Sequence, residues 1–212
     1  MIVYHKSSIK VFIILIVMQF CIELPKTEDI VDILPKNGIF VFNNFISEQT
    51  CDKLVSDINK RTLHEEINLN PNTNVKALRL GVREELNLPA HEYVMKKIKD
   101  FGRIMSEKYA IANTLFTEIQ YRKIYGPTKI HSDASGVENN AYNQSIVRTL
   151  SVIIALNDDY EGGELVFPLQ NYEIKLKKGQ LIAFPPYWTH PHYTNNLQNG
   201  TFRYTINFWY GT

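Results

Sequence analysis

The stretch Arg203-Tyr-Thr-Ile-Asn-Phe-Trp-Tyr210 alternates between two sets of side chains, as the residues of a β-strand do. One face carries only aromatic and aliphatic residues: Tyr204, Ile206, Phe208 and Tyr210. The other face carries Arg203, Thr205, Asn207 and Trp209. If this second face lines a barrel, the guanidinium of Arg203 is held away from water, and a buried cation requires an anionic partner.

Six further segments after Asn113 have the same character. Each is short, rich in β-branched and aromatic residues, and bounded by turn sequences such as Gly126-Pro127 and Gly162-Gly163. They are Phe116–Tyr125, Val147–Leu156, Glu164–Phe167, Tyr172–Leu176, Gln180–Phe184 and Thr189–Thr194. Strands at this spacing predict a mainly β sandwich or barrel with helices packed outside it.

Two helices are predicted before these strands. Ser47 is a suitable N-cap for a helix over Glu48–Asn59, where apolar residues recur at three- and four-residue spacing. Pro89 suits the first position of a second helix that runs to about Tyr109. A short strand over Ile39–Phe42 precedes the first helix.

Two polar segments are predicted to lack regular structure. Pro25–Gly38 is bounded by proline and glycine and is interpreted as a link. Arg61–Leu86 is rich in Asn, contains Pro71, and is interpreted as a long loop.

The N-terminus is typical of a secretory signal peptide or a short membrane anchor. Lys6 and Lys10 precede the wholly apolar run Val11–Met18, which is shorter than the roughly 20 residues that span a bilayer. This length favours a signal peptide. Because Gln19-Phe20-Cys21 is not a small-residue cleavage site, an uncleaved anchor remains an alternative.

The remaining composition is that of an ordinary globular protein. The 212 residues are 44% hydrophobic and 21% charged, and 23 Lys and Arg balance 22 Asp and Glu, so no basic excess points to nucleic acid. With only Cys21 and Cys51 present, a disulfide framework and a Cys-based zinc site are both excluded. Asn143 and Asn199 begin glycosylation sequons, which matter only in the secretory pathway.

A metal site is predicted from His131-Ser132-Asp133 together with a distant histidine, His190 or His192. Two imidazoles and one carboxylate can hold Fe(II) on one face and leave the other positions open. A lone H-x-D sequence is more often a polar turn, but here strands, another His and Arg203 surround it. Residues two apart in a strand share a face, so the strand pattern alone leaves both distal histidines open.

These motifs together resemble the prolyl 4-hydroxylase group of Fe(II)/2-oxoglutarate-dependent dioxygenases. The resemblance covers about residue 38 to the end and rests on several ordered segments. They are Ile39–Cys51, His131–Asp133, Arg148–Asn157, Glu161–Pro168 with its G-G-E-x-x-F sequence, Lys178–Pro185 and Arg203–Tyr210.

The resemblance implies a double-stranded β-helix, or jelly-roll, barrel packed against N-terminal helices. With the leader assigned to residues 1–24 from its lysines and apolar run, the dioxygenase domain takes residues 25–212, with a helical part at about 45–110 and the barrel at about 113–212. By resemblance, the iron ligands are His131, Asp133 and a distal His, and His192 is chosen for its spacing from the basic residue. Arg203 is expected to bind the distal carboxylate of 2-oxoglutarate, helped by the hydroxyls of Tyr125 and Thr205.

The implied activity is hydroxylation of peptidyl proline to 4-hydroxyproline, with release of succinate and CO2. The implied cofactors are Fe(II), 2-oxoglutarate, O2 and L-ascorbate, and the implied partner is a proline-containing peptide or protein. With the leader, the expected location is the endoplasmic reticulum lumen or membrane, with glycosylation and possible membrane attachment.

Two alternatives remain open from the sequence. The same oxygenase chemistry would serve another side chain or a small molecule. A non-catalytic ligand-binding barrel is the second alternative, but it leaves the retention of all four site residues unexplained. Zinc hydrolysis with the same ligands leaves Arg203 without a role.

Overall fold

The computed structural model describes residues 30–32, 37–62, 64–65, 75–80, 89–112, 115–117, 119–134, 137–139 and 145–212. The expected leader over 1–24 lies outside these residues, as does Asn143. Within the described part, no helix is long and apolar enough to cross a membrane.

The described elements comprise two α-helices, many short strands and a 3-10 turn. The helices are α1 (Glu48–Asn59) and α2 (Pro89–Tyr109), and the 3-10 turn is Pro168–Gln170. The first strands are β1 (Ile30–Asp32), β2 (Phe40–Phe42), β3 (His64–Glu65), β4 (Val75–Leu80), β5 (Leu115–Phe116), β6 (Ile119–Ile124), β7 (Val137–Asn139) and β8 (Ser145–Ala155). They are followed by β9 (Glu161–Gly162), β10 (Leu165–Phe167), β11 (Tyr172–Ile174), β12 (Leu181–Phe184), β13 (Tyr193–Thr194), β14 (Leu197–Gln198) and β15 (Arg203–Gly211).

Both helices have the predicted bounds. The side chain of Ser47 accepts a hydrogen bond from the backbone N–H of Thr50 and so caps α1. The apolar stripe of α1 is buried, and it consists of Cys51, Leu54 and Ile58. The stripe of α2 is buried in the same cluster through Val94, Ile98, Phe101 and Met105.

The strands form an antiparallel architecture of one large sheet and two small ones. The large sheet has the order β1-β2-β12-β8-β15-β6-β4-β3, with β5 added to β15 and β7 to β8. The small sheets are β11-β10-β13 and β14-β9. This mainly β arrangement with two flanking helices confirms the predicted jelly-roll class.

The two faces of the large sheet bury different clusters. The helices pack on the face that carries Tyr121, Ile206 and Phe208. The opposite face carries Val41, Ile182 and Phe184, which pack in one cluster with residues of the small sheet β11-β10-β13, such as Phe167. Because side chains alternate along β15, Arg203, Thr205 and the residues two apart from them lie on this second face, inside the barrel.

Two segments interpreted as irregular contain strands, so these interpretations were wrong. Within Pro25–Gly38, β1 pairs with β2, and Ile30 lies opposite Phe42. Within Arg61–Leu86, β4 pairs along its whole length with β6. Polar and Asn-rich flanks masked these strands, which form because a partner strand supplies their hydrogen bonds.

The strand predicted over Thr189–Thr194 was also wrong over its first half. Only β13 is a strand, and a turn precedes it in which His190 N–H donates to the Tyr187 carbonyl at 2.9 Å. Pro191 has no N–H to contribute to a ladder, which explains why regular pairing does not extend through it.

Candidate metal centre

Three side chains converge at one end of the barrel: His131, Asp133 and His192. One ligand atom from each lies within 4.8 Å of the others. The Asp133 Oδ1 atom is 3.3 Å from His131 Nε2 and 3.7 Å from His192 Nε2. The backbones of the two histidines hydrogen-bond to each other in both directions, so the distal segment is fixed against the H-x-D sequence.

Each of these imidazoles is oriented by a backbone carbonyl. The Nδ1 atom of His131 is 2.8 Å from the Lys129 carbonyl, and the Nδ1 atom of His192 is 3.1 Å from the His190 carbonyl. An N–H at Nδ1 donates to each carbonyl, so Nε2 is the ring nitrogen that is turned toward Asp133. Phe184 and Phe167 pack against the His192 ring and hold its plane.

The carboxylate of Asp133 is held from two sides. The hydroxyl of Ser151 donates to Oδ2 at 2.6 Å, so Oδ1 is the atom turned toward the histidines. Arg148 Nη1 donates to the Asp133 main-chain carbonyl at 2.6 Å. The position of the carboxylate is thus determined by β8 as well as by its own loop.

The charges of the three residues depend on one another. Burial alone would raise the pKa of Asp133, but the hydrogen bond from His131, the two imidazole charges and Ser151 hold this pKa well below its usual range. For His131, Asp133 outweighs the effect of burial and raises the pKa, whereas burial dominates at His192 and lowers it. A carboxylate that stays ionised and an imidazole that stays neutral are the forms in which these groups bind metals.

His190 does not join this cluster. Its Nε2 atom bonds the Asn37 carbonyl, and its Nδ1 atom is 3.0 Å from the hydroxyl of Thr189. Nε2 therefore connects the turn before β13 to the segment before β2, whereas Nδ1 bonds within the turn itself. The geometry favours His192, the residue chosen from the sequence, as the distal ligand.

Arg203 lies half-buried on the inner face of β15. Its Nη1 atom donates to the Gly163 carbonyl at 2.6 Å. Its Nε atom is buried and, among the described residues, has no hydrogen-bond partner. Burial lowers the pKa of Arg203, while the neighbouring Tyr160 and Glu164 raise it. This orphaned donor is one that an acceptor atom of a bound ligand would satisfy.

The two helper residues expected for Arg203 differ in position. Thr205 is buried on the same face of β15, and its hydroxyl donates to Asn207 Oδ1 at 2.6 Å. Tyr125 follows the end of β6, is 36% exposed, and makes no hydrogen bond within the described part of the chain. Ile124, an apolar residue, is the one that lies opposite Arg203 in the ladder.

A second buried donor on this face also lacks a partner among the described residues. It is Nε1 of Trp209, whose residue pairs with Ser151 across β15 and β8. Two unpartnered donors on one inner face, with a carboxylate and two imidazoles at the end, fit a bound anion beside a metal ion. The ligand types fit Fe(II) in a two-histidine, one-carboxylate site.

Residues 119–211 match the family model described as the 2OG-Fe(II) oxygenase superfamily. The description of that family names 2-oxoglutarate and Fe(II), which fit the ligand types and the buried donors of this site. A comparison with curated proteins finds no match.

Solved structures share the fold. A viral collagen prolyl hydroxylase from Paramecium bursaria Chlorella virus-1 is 21% identical, with 82% of this chain and 95% of that chain covered at a TM-score of 0.61. A prolyl-4-hydroxylase from Pseudomonas putida is 14% identical, with 83% and 93% covered and a TM-score of 0.66. A Trichoplax adhaerens prolyl hydroxylase, bound to a hypoxia inducible factor oxygen degradation domain peptide fragment, is 19% identical, with 87% and 88% covered and a TM-score of 0.66. The likeness predicted from the sequence is confirmed at the level of the fold.

Sequence reasoning missed three residues that shape the site: Ser151, Arg148 and Arg122. Ser151 had a local signal, because it is a hydroxyl in the otherwise apolar run 150–156. The only sequence signal for Arg148 was its position at the start of Arg148–Asn157, one of the segments that resemble the family. Arg122 shares a face with Gln120 on β6, but whether that face is turned inward depends on which side of β6 the helices cover.

Proposed function

We propose that the protein is an Fe(II)/2-oxoglutarate-dependent dioxygenase that hydroxylates peptidyl proline to 4-hydroxyproline. The observation that carries this proposal is the convergence of His131, Asp133 and His192 in the same interior as the orphaned donor of Arg203. A metal site alone would suit many reactions, and the buried, unpartnered Nε–H of Arg203 on the same inner face supports an anionic co-substrate.

The side chains have separate roles. His131, Asp133 and His192 would hold Fe(II) through two Nε2 atoms and Oδ1. Arg203 would hold the distal carboxylate of 2-oxoglutarate, because a guanidinium can donate two parallel hydrogen bonds to a carboxylate. When bound, Fe(II) and 2-oxoglutarate supply the oxidising power for hydroxylation, with O2 consumed and succinate and CO2 released. Phe184 and Phe167 keep water from the buried side of His192.

A peptide substrate is supported by exposed aromatic residues beside the metal ligands. Tyr187 is 40% exposed and Trp188 is 79% exposed. The Ala134 N–H donates to the Pro186 carbonyl at 2.8 Å, so this aromatic turn lies next to the H-x-D loop. Flat aromatic rings offer apolar contact area to proline at little cost in side-chain entropy. Three prolyl hydroxylases share the fold.

The decisive experiment measures succinate formation and product mass with purified protein, Fe(II), 2-oxoglutarate and O2. The substrates are collagen-like, other proline-rich and lysine-containing peptides, and Asp133→Ala is the inactive control. A mass increase of one oxygen on proline supports the proposal. Oxidation of another side chain would establish the alternative substrate class, and a protein that binds 2-oxoglutarate but never turns it over would be a binding barrel.

Two further expectations belong to this proposal. L-ascorbate is expected to sustain turnover, which is tested by following succinate over many turnovers with and without it. The secretory pathway is the proposed location, and expression in a eukaryotic host tests it: glycosylation at Asn143 or Asn199 supports the proposal, and a wholly cytosolic, unmodified protein contradicts it.

A further inference from the structure

Arg122 places a second guanidinium inside the barrel. In the ladder between β6 and β15, Arg122 lies opposite Thr205, and Ile124 lies opposite Arg203. Residues opposite each other in a ladder share a face, so Arg122 is on the inner face, two pairs closer than Ile124 to the Trp209 end of β15.

The contacts of Arg122 direct its side chain toward the metal end. Its Nε atom donates to Gln120 Oε1 at 3.0 Å, and its Nη2 atom bonds the same oxygen. Gln120 is opposite Asn207, and the guanidinium carbon of Arg122 is 5.8 Å from the centre of the Trp209 ring. The same ring is 3.9 Å from the guanidinium carbon of Arg148 and carries the unpartnered Nε1 donor.

The charge of Arg122 also reaches Arg203. Burial has the largest effect on the pKa of Arg203 and lowers it, and the charge of Arg122 lowers it further. The two cations lie on the same inner face, at neighbouring inward-facing pairs of the ladder between β6 and β15.

We propose that Arg122, with Trp209 Nε1, binds the keto-acid half of 2-oxoglutarate, while Arg203 binds the distal carboxylate. This inference rests on the proposed function and adds two donors to it. The dianion would meet one guanidinium at each half, and Gln120 would hold Arg122 in place by occupying two of its donors.

The test measures binding by calorimetry on full-length protein loaded with Mn(II), without turnover. The ligands are 2-oxoglutarate and 2-oxopentanoate, which has the same chain length but no distal carboxylate. Arg122→Met should weaken both ligands by similar factors, roughly ten- to a hundredfold, because one charge-assisted contact is lost. Arg203→Met should weaken 2-oxoglutarate only, and Arg122→Lys should be intermediate for both ligands.

The control is Arg103→Met, which removes an exposed guanidinium paired with Glu107 on α2 and should change neither affinity. Arg122→Met with wild-type affinity for both ligands overturns the inference, as does weakening of 2-oxoglutarate alone. Loss of Mn(II) binding by Arg122→Met and Arg122→Lys alike would mean a structural role and also overturn it. If the wild-type protein holds Mn(II) but binds neither ligand, the proposed function itself fails, and this inference fails with it.

Discussion

The hydroxyl of Ser151 donates a 2.6 Å hydrogen bond to Oδ2 of Asp133, and the other carboxylate oxygen therefore faces His131 and His192. This bond joins the central strand β8 to the loop that carries the H-x-D sequence. It fixes which oxygen is presented to a metal ion.

Ser151→Ala should lower Fe(II) affinity about tenfold, because residues that orient metal ligands typically contribute ten- to a hundredfold. Anaerobic titration with Fe(II) measures this change. Ser145→Ala, at the exposed start of the same strand, is the matched control and should bind Fe(II) as the wild type does. Equal affinity of both variants would show that the loop alone positions Asp133.

His192→Ala should abolish Fe(II) binding, because one of three protein ligands is lost. His190→Ala should keep Fe(II) binding but lower the melting temperature, because His190 bonds Asn37 and Thr189 rather than facing the site. Parallel metal titrations and thermal unfolding curves separate the two effects. Metal binding lost in His190→Ala and kept in His192→Ala would reverse the assignment.

Arg203→Ala should raise the apparent KM for 2-oxoglutarate by about a hundredfold, because two charge-assisted hydrogen bonds of roughly 1.5 to 3 kcal/mol are involved. Iron affinity should stay nearly unchanged, since Arg203 is not a ligand. Arg203→Lys should give an intermediate KM, because lysine keeps the charge and loses the planar fork. A normal KM in the alanine variant would contradict the assigned role.

Stability should fall between pH 7.5 and 5.5 partly because of His91 on α2. Its Nδ1 atom is 2.9 Å from the Tyr121 hydroxyl, and burial lowers its pKa below 6.5 in the folded state, against a smaller opposing effect of Glu92. Below that pH the unfolded chain binds the proton more readily, so acid favours unfolding. In urea unfolding with a chelator present, the free energy of unfolding should fall less on acidification for His91→Gln than for the wild type. An identical decrease in the free energy of unfolding for both proteins would show that His91 does not contribute to the pH dependence.

Local patterns predicted the helices and the H-x-D half of the candidate metal site, because their signals lie within a few residues of each other. Ser47 caps α1 from the adjacent position, and His131 and Asp133 are separated by one residue. β4 was missed because its hydrogen bonds come from β6, about forty residues later. The inward direction of Arg122 likewise depends on which face of the sheet the helices cover, which no local spacing reveals.

Local spacing also could not decide between His190 and His192 as the distal ligand. A two-residue spacing predicts that His190 and His192 face the same way only if the chain is extended between them. The turn at Tyr187 to His190 separates their environments. The spacing of His192 from Arg203, known from the family resemblance, carried information that the strand pattern did not.

The hydrogen bond from Arg203 to the Gly163 carbonyl restricts the arginine side chain before any ligand binds. A free arginine side chain samples many rotamers, and ordering it upon binding costs free energy. Here part of that ordering takes place during folding, because the turn at Gly162-Gly163, where both residues have positive φ, directs a carbonyl at Nη1. We therefore expect a smaller loss of entropy when an anion binds to Arg203, so the affinity for that anion depends in part on a glycine turn that contains none of the candidate metal ligands.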